Sequence, residues 1–223
     1  RLLGLPATLR PRSRFGLGVR LTVVAAAGLY AAFQKHLFPP EVGKVVARLY
    51  FWPTLPFTFL RRARHLWTPM DDTVIVGCAP ARHGPVPPTR LRELGVEAVV
   101  NLCDEFRGPT KLYEQLGIAE LWLPTVDHTE PSLGDLERAV DFIEDFAEQG
   151  GKVYVHCKAG HGRSAAVAFC WLAKKHPDVP LESIQQMMLS KRHVRKSLYR
   201  QPGIVAFARQ CRTAKAKGGE EGG

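Results

Sequence analysis

The first 40 residues contain no carboxylate, the first acid being Glu41. Against that absence stand Arg1, Arg10, Arg12, Arg14, Arg20 and Lys35, which account for more than half of the formal net charge of +10. The rest of the chain is therefore close to balanced, which removes the support for a nucleic-acid partner read from bulk charge. Paired cysteines are missing as well. Cys78, Cys103, Cys157, Cys170 and Cys211 are odd in number and widely spaced, without a C-x-x-C pair, and the eight histidines form no H-x-x-x-H pair. A disulfide framework and a zinc knuckle are not expected, nor is a metal or a cofactor, and free thiols suit a reducing compartment. No uninterrupted apolar run reaches the roughly 18 residues of a spanning helix, which excludes a polytopic membrane protein. There is no internal repeat. Gly and Pro, 20 and 17 of 223 residues, stay below low-complexity levels, and 45% hydrophobic residues suffice for one core.

What is present divides the chain unevenly. Residues 1–40, acid-free and rich in Arg, Ala and Leu, have the composition of an organelle transit peptide or anchor, mitochondrial first and chloroplast as the alternative. The 13-residue apolar run from Leu21 to Phe33 also fits a secretory signal, which the thiol chemistry described below disfavours. Val42 to Leu60 is a second apolar stretch, interrupted by Lys44, Arg48, Pro53 and Pro56, and the prolines argue against a straight spanning helix. Tyr50, Phe51, Trp52, Phe57 and Phe59 followed by Arg61, Arg62 and Arg64 fit a segment lying in a membrane interface, here 41–68; a strap packed over a core is the alternative. Residues 69–212 are expected to form the catalytic body and 213–223 a flexible tail. All chemical motifs follow Thr73, so the body is expected to stand without residues 1–60.

Within the body short apolar runs alternate with amphipathic ones. Strands are expected at Thr73–Gly77, Glu97–Leu102, Ala119–Leu123 and Lys152–His156. Ser132 with Asp135 three residues on forms a capping box, and Leu133, Leu136, Val140, Ile143 and Ala147 recur at helical spacing before Gly150-Gly151. Further helices are expected at Ser164–Lys175, Leu181–Leu189 and Gly203–Ala216. Strands separated by helices predict an α/β fold, a mainly parallel sheet flanked by helices.

The strand Val153 to His156 runs into Cys157-Lys158-Ala159-Gly160-His161-Gly162-Arg163-Ser164 and then a helix. A Cys with an Arg six residues later is weak alone. Between a strand and a helix, with two internal glycines, the loop can curl its backbone N–H groups into an anion nest at a helix N-terminus. Lys158, Ala159, Gly160, His161, Gly162 and Arg163 are the candidate phosphate-binding residues. A thiol there can fall from a pKa near 8.5 to about 3.5–7.5, making Cys157 a thiolate nucleophile. The planar fork of Arg163 suits two phosphoryl oxygens, His156 suits positioning the loop, and Ser164 suits donating to the thiolate as it leaves.

His156-Cys157-Lys158-Ala159-Gly160-x-Gly162-Arg163-Ser164 resembles the signature of the cysteine-dependent protein tyrosine and dual-specificity phosphatases. The resemblance implies their fold, with the active-site loop between a strand and a helix, and catalysis through a covalent phosphocysteine. Leu49 to Leu55, the Thr125-Val126-Asp127 turn and Tyr154 to Gly160 are similar to the mitochondrial branch that hydrolyses phosphatidylglycerophosphate on the way to cardiolipin, over roughly residues 45–212. His161 stands where the family more often has Arg. The family also implies an aspartate that protonates the leaving oxygen; Asp127, thirty residues before Cys157, matches it, with Asp104 or Glu105 of an acidic loop as the alternative.

A second basic cluster, Lys191, Arg192, His193, Arg195, Lys196 and Arg200, either meets an anionic headgroup or forms a solvated face. Cys157-Lys158-Ala159-Gly160 also resembles the loop of the phosphoinositide phosphatases that are similar to tensin, so the resemblances leave phosphatidylglycerophosphate, phosphoinositide and phosphoprotein competing as substrates, with an anionic phospholipid on a membrane surface favoured. A pseudophosphatase would need a damaged loop, whereas Cys157 and Arg163 are both present. Oligomeric state stays open.

Overall fold

A computed structural model of the chain describes residues 14–34 and 37–220, so part of the expected leader, residues 1–13 and 35–36, lies outside it together with 221–223. In chain order the elements are α1 (Arg14–Gln34), α2 (Pro40–Arg61), β1 (Trp67–Pro69), β2 (Val74–Gly77), α3 (Pro88–Glu93), β3 (Val96–Cys103), α4 (Thr110–Gln115), β4 (Ala119–Thr125), α5 (Leu133–Ala147), β5 (Lys152–His156), α6 (Arg163–Lys175), α7 (Leu181–Lys191), a 3-10 turn (Leu198–Arg200) and α8 (Pro202–Glu220). The sheet runs β1-β2-β5-β3-β4. β1 is antiparallel to β2, while β2 with β5, β5 with β3 and β3 with β4 are parallel.

Strand alternation sorts the apolar residues onto two faces. Val153 and Val155 of β5 join the larger core, with Leu136, Val140 and Ile143 of α5 and most of α6, whereas Tyr154 joins a smaller one with Leu91 of α3 and Tyr113 of α4. On β3 the alternation breaks at Glu97. The register shifts between Val96 and Ala98, so Val96 and Val99 share the smaller core while Ala98, Val100 and Leu102 enter the larger. The Ser132 hydroxyl accepts from the Asp135 amide at 3.1 Å, capping α5 as its sequence predicts. The short α3, α4 and β1 carry no periodicity that a sequence shows, and Pro88 and Pro69 read as loop signals. α8 continues to Glu220, through most of the stretch expected as a tail.

The segment 41–68 departs most from expectation. α2 is one helix that contains both Pro53 and Pro56. Each proline forfeits a backbone bond, yet tertiary packing of an amphipathic face outweighs local propensity. Phe51 is fully buried and Leu55 nearly so, both inside the larger core. The division at residue 69 therefore does not divide the core. The outward face carries Val45, Leu49, Trp52, Phe57 and Leu60, all more than half exposed. Among the described residues no helix is long and apolar enough to cross a membrane. Phe51→Ala is expected to cost about 3–5 kcal/mol of unfolding free energy, read by urea denaturation. A loss below about 1 kcal/mol would mean that α2 is dispensable to the core.

Candidate active site

β5 ends at His156 and α6 begins at Arg163, and the turn between them is held from outside by its carbonyls. The oxygens of Lys158, Ala159, Gly160, His161 and Gly162 accept, respectively, from the Ala79 amide at 3.2 Å, Arg192 Nη2 at 3.1 Å, Arg192 Nε at 2.8 Å, the Arg195 amide at 2.9 Å and the Ala166 amide at 2.9 Å. With the carbonyls turned out, the amides of His161 and Ser164 face the Cys157 sulfur. Gly160 has φ +64, and a Cβ there would lie 2.5 Å from Arg192 Nη2 and 2.7 Å from the Gly77 oxygen, so glycine is required on both counts.

Cys157 is almost fully buried, and the Ser164 hydroxyl donates to its sulfur at 3.3 Å. Burial pushes the thiol up, but the Arg163 guanidinium, the Ser164 hydroxyl and the two amides outweigh it and hold the pKa below its ordinary value. His156 is fully buried, with Nδ1 3.3 Å from the Cys157 carbonyl oxygen. That oxygen only accepts, so Nδ1 carries the proton and the ring positions the loop. Burial drives the His156 pKa down to about 3. A His held neutral in the fold contributes stability that is present above its unfolded value of 6.5 and lost as pH falls toward 3, because the unfolded chain takes up the proton first. His161, also lowered, chiefly by burial, acts in the same direction. The urea midpoint is therefore expected to fall between pH 6.5 and 4, and His156→Asn to flatten that slope; an unchanged slope would remove His156 as its cause.

Arg163, 2% exposed, extends from α6 to the carboxyl ends of β3 and β4. Its Nη1 donates to Glu105 Oε2 at 2.8 Å and the Thr125 carbonyl oxygen at 2.7 Å; Nη2 donates to Glu105 Oε1 at 2.7 Å and Asp127 Oδ1 at 2.8 Å. Glu105 thus orients the guanidinium from behind. Asp127 meets it from the cavity, and although burial would raise its pKa, Arg163, His128 and Lys158 together lower it. Asp104 turns away to Arg48 of α2 at 3.2 Å. A cavity of about 140 Å³ lined by Asp127, Cys157, Lys158, Arg163 and Arg195, among others, brings the expected groups together.

Two expected phosphate ligands are partly committed elsewhere. Lys158 Nζ donates to the Thr54 hydroxyl and to the Tyr50 carbonyl oxygen at 3.4 Å, and lies 5.3 Å from the centre of the Phe51 ring, so its ammonium is tied to α2. His161 Nδ1 lies 3.1 Å from the His193 carbonyl oxygen. The sequence reading missed Arg192 and Asn101. Arg192, expected with its neighbours to meet a headgroup or form a solvated face, is buried against the loop carbonyls. Asn101 donates to the carbonyls of Phe106 and Arg107, each at 3.0 Å, and shapes the acidic loop. Phe106 then stacks on Phe51 with ring centres 4.9 Å apart. A charge run and a strand Asn give no sequence signal for either role.

A cysteine in an amide nest, with a buried arginine and a facing aspartate between a parallel strand and a helix, defines a cysteine-dependent phosphatase. Residues 81–203 match the family model for the dual specificity phosphatase catalytic domain, and the chain belongs to that family. It is 37% identical over 132 residues to the phosphatidylglycerophosphate phosphatase PTPMT2 of Arabidopsis thaliana, covering 56% of this chain and 57% of the plant protein. To the human phosphatidylglycerophosphatase and protein-tyrosine phosphatase 1 it is 30% identical over 190 residues, covering 78% and 92%. The crystal structure of PTPMT1 in complex with PI(5)P superposes with a TM-score of 0.59 at 27% identity, covering 68% of this chain and 99% of that one. The α/β fold with its mainly parallel sheet flanked by helices is that of the dual specificity phosphatases.

Proposed function

We propose that this protein hydrolyses phosphomonoesters through a phosphocysteine on Cys157 and that its substrate is phosphatidylglycerophosphate, converted to phosphatidylglycerol for cardiolipin synthesis. The observation that carries the reading is the convergence of Cys157, Arg163 and Asp127 on one cavity, with the Ser164 hydroxyl on the Cys157 sulfur. The substrate choice is supported by the two relatives, both named for phosphatidylglycerophosphate.

Cys157 Sγ attacks phosphorus and forms the S–P bond as the ester P–O bond breaks, Arg163 binds two non-bridging oxygens, and Asp127 gives its proton to the departing alkoxide. Water then cleaves the S–P bond, with the Ser164 hydroxyl stabilising the returning thiolate. In the resting protein Arg163 Nη2 is occupied by Asp127. A phosphate that takes that nitrogen displaces the carboxylate, loosens its hold on the foremost of the three cations that lower its pKa and sets an anion beside it, so substrate binding itself favours the protonated acid. Asp127→Asn is therefore expected to lose about 10²–10³-fold in turnover of an alkyl phosphate, less with an activated aryl phosphate. The same variant is expected to bind inorganic phosphate about tenfold more tightly, since a competitor for a charged hydrogen bond is gone. Equal losses on both esters, or weaker phosphate binding, would remove Asp127 from this role.

We assign the work to a membrane surface, in the mitochondrion and at its inner membrane, with the chloroplast as the alternative. Support comes from the acid-free leader and from the exposed apolar side chains Leu21, Val23 and Val24 on α1 beside those on the outward face of α2. The test compares phosphate release from vesicles of phosphatidylglycerophosphate, vesicles of phosphoinositide and a phosphotyrosine peptide. Fastest release from phosphatidylglycerophosphate, slowing with added salt, is expected. Preference for phosphoinositide would promote the second reading, which the PI(5)P complex of PTPMT1 favours, and preference for the peptide would sink both.

A further inference from the structure

Beside the catalytic cavity lies a larger one of about 560 Å³, and Thr58, Ala159 and His161 line both. Its polar lining is Arg61, Arg62 and His65 from the end of α2 and the turn after it, together with His161 and His193. None of the described residues that line it is acidic. Neither arginine forms an ion pair with a carboxylate among the described residues. Arg61 rests over the Phe57 ring at 5.7 Å, and Arg62 Nη1 donates to the His193 carbonyl oxygen at 3.0 Å. The His161 and His193 rings stack with centres 5.1 Å apart. Nδ1 of His161 faces that same His193 oxygen and so carries a proton there, which leaves Arg61 and Arg62 as the donors for an anion. Cations gathered in a concave wall without a counter-charge repel one another, and an anion seated among them relieves the repulsion.

We propose that this second cavity binds a second phosphate of the same substrate molecule while its phosphomonoester lies over Cys157. The inference rests on the phosphomonoesterase reading above and deepens it: phosphatidylglycerophosphate carries a phosphodiester separated from its terminal phosphate by one glycerol, whereas a phosphotyrosine peptide has no such neighbour. The shared chemistry is a two-phosphate compound, whether a lipid headgroup or a soluble ester. Arg61 and Arg62 act here as specificity residues, since they stand in the second cavity and neither lines the one that holds Cys157.

Two soluble compounds separate this subsite from attraction to a bilayer: glycerophosphoglycerophosphate, which has both phosphates and no acyl chains, and glycerol 3-phosphate, which has the monoester alone. The full chain is expected to prefer the first. Arg61→Gln and Arg62→Gln are expected to lower the ratio of the two kcat/KM values by about ten- to a hundredfold, the size of one or two charged hydrogen bonds, with the change in KM. Arg61→Gln decides the matter if the Arg62 variant misfolds, because Arg61 rests on a ring rather than on a backbone oxygen. A parent without the preference, or an unchanged ratio in Arg61→Gln, would overturn the subsite, as would losses confined to vesicles, which would assign the arginines to bilayer attraction. If the parent ignores phosphatidylglycerophosphate vesicles yet the ratio still falls, the lipid reading fails and the subsite stands.

Discussion

Cys157→Ser is expected to slow release of phosphate from every monoester by about 10⁴-fold or more, while substrate still binds. The reason lies in what the substitution keeps. The amides of His161 and Ser164 and the Arg163 fork remain, so the nest still holds a phosphate. What disappears is a thiol whose pKa those same groups hold below its ordinary value; a hydroxyl starts far higher, and they cannot bring it down so far. The variant should therefore capture phosphatidylglycerophosphate without turning it over, read by single-turnover kinetics beside a binding isotherm. Turnover within tenfold of the parent would take the nucleophile role from Cys157.

Arg163 has a larger part in the fold than a ligand-binding residue ordinarily has, and its substitutions are expected to show both parts. Arg163→Lys keeps the charge but loses the planar fork, and a fall of about 10³-fold or more is expected, comparable to removal of an arginine that stabilises a phosphoryl transition state. Arg163→Ala goes further. Glu105, whose side chain is 1% exposed, loses its bidentate partner and becomes an unpaired buried carboxylate, at a cost of about 3–5 kcal/mol. The double variant Arg163→Ala with Glu105→Leu should regain most of that stability and none of the turnover. Recovery of turnover would show that Arg163 acts only by supporting the fold, and a double variant as unstable as Arg163→Ala would show that Glu105 is not the source of the cost.

Much of the chemistry was legible in the chain because it is local. The strand from Lys152, the loop from Cys157 and the helix from Arg163 are contiguous, and the left-handed turn at Gly160 is local, although the close approach of Arg192 and the Gly77 oxygen to it is not. The parallel sheet was legible for a related reason: strand and helix periods differ, so alternating segments declare themselves. The acidic loop and α2 were not legible in this way. Asp104 and Glu105 are adjacent in sequence, yet one turns to Arg48 and the other to Arg163. That split depends on Asn101 and on Phe106 packed against Phe51, partners that no local pattern couples.

The sequence by itself determined the α/β order of the body and singled out Cys157, its loop and Arg163 as candidates, since each rests on spacing along one stretch of backbone. Tertiary structure alone decided that α2 belongs to the core despite two prolines, that Lys158 reaches α2, that Arg192 holds the loop from behind, and that the cations of α2 and His193 enclose a second cavity. In each of these a side chain meets a partner more than thirty residues away, and which charge is buried, paired or left facing a cavity is set only when distant segments close on one another.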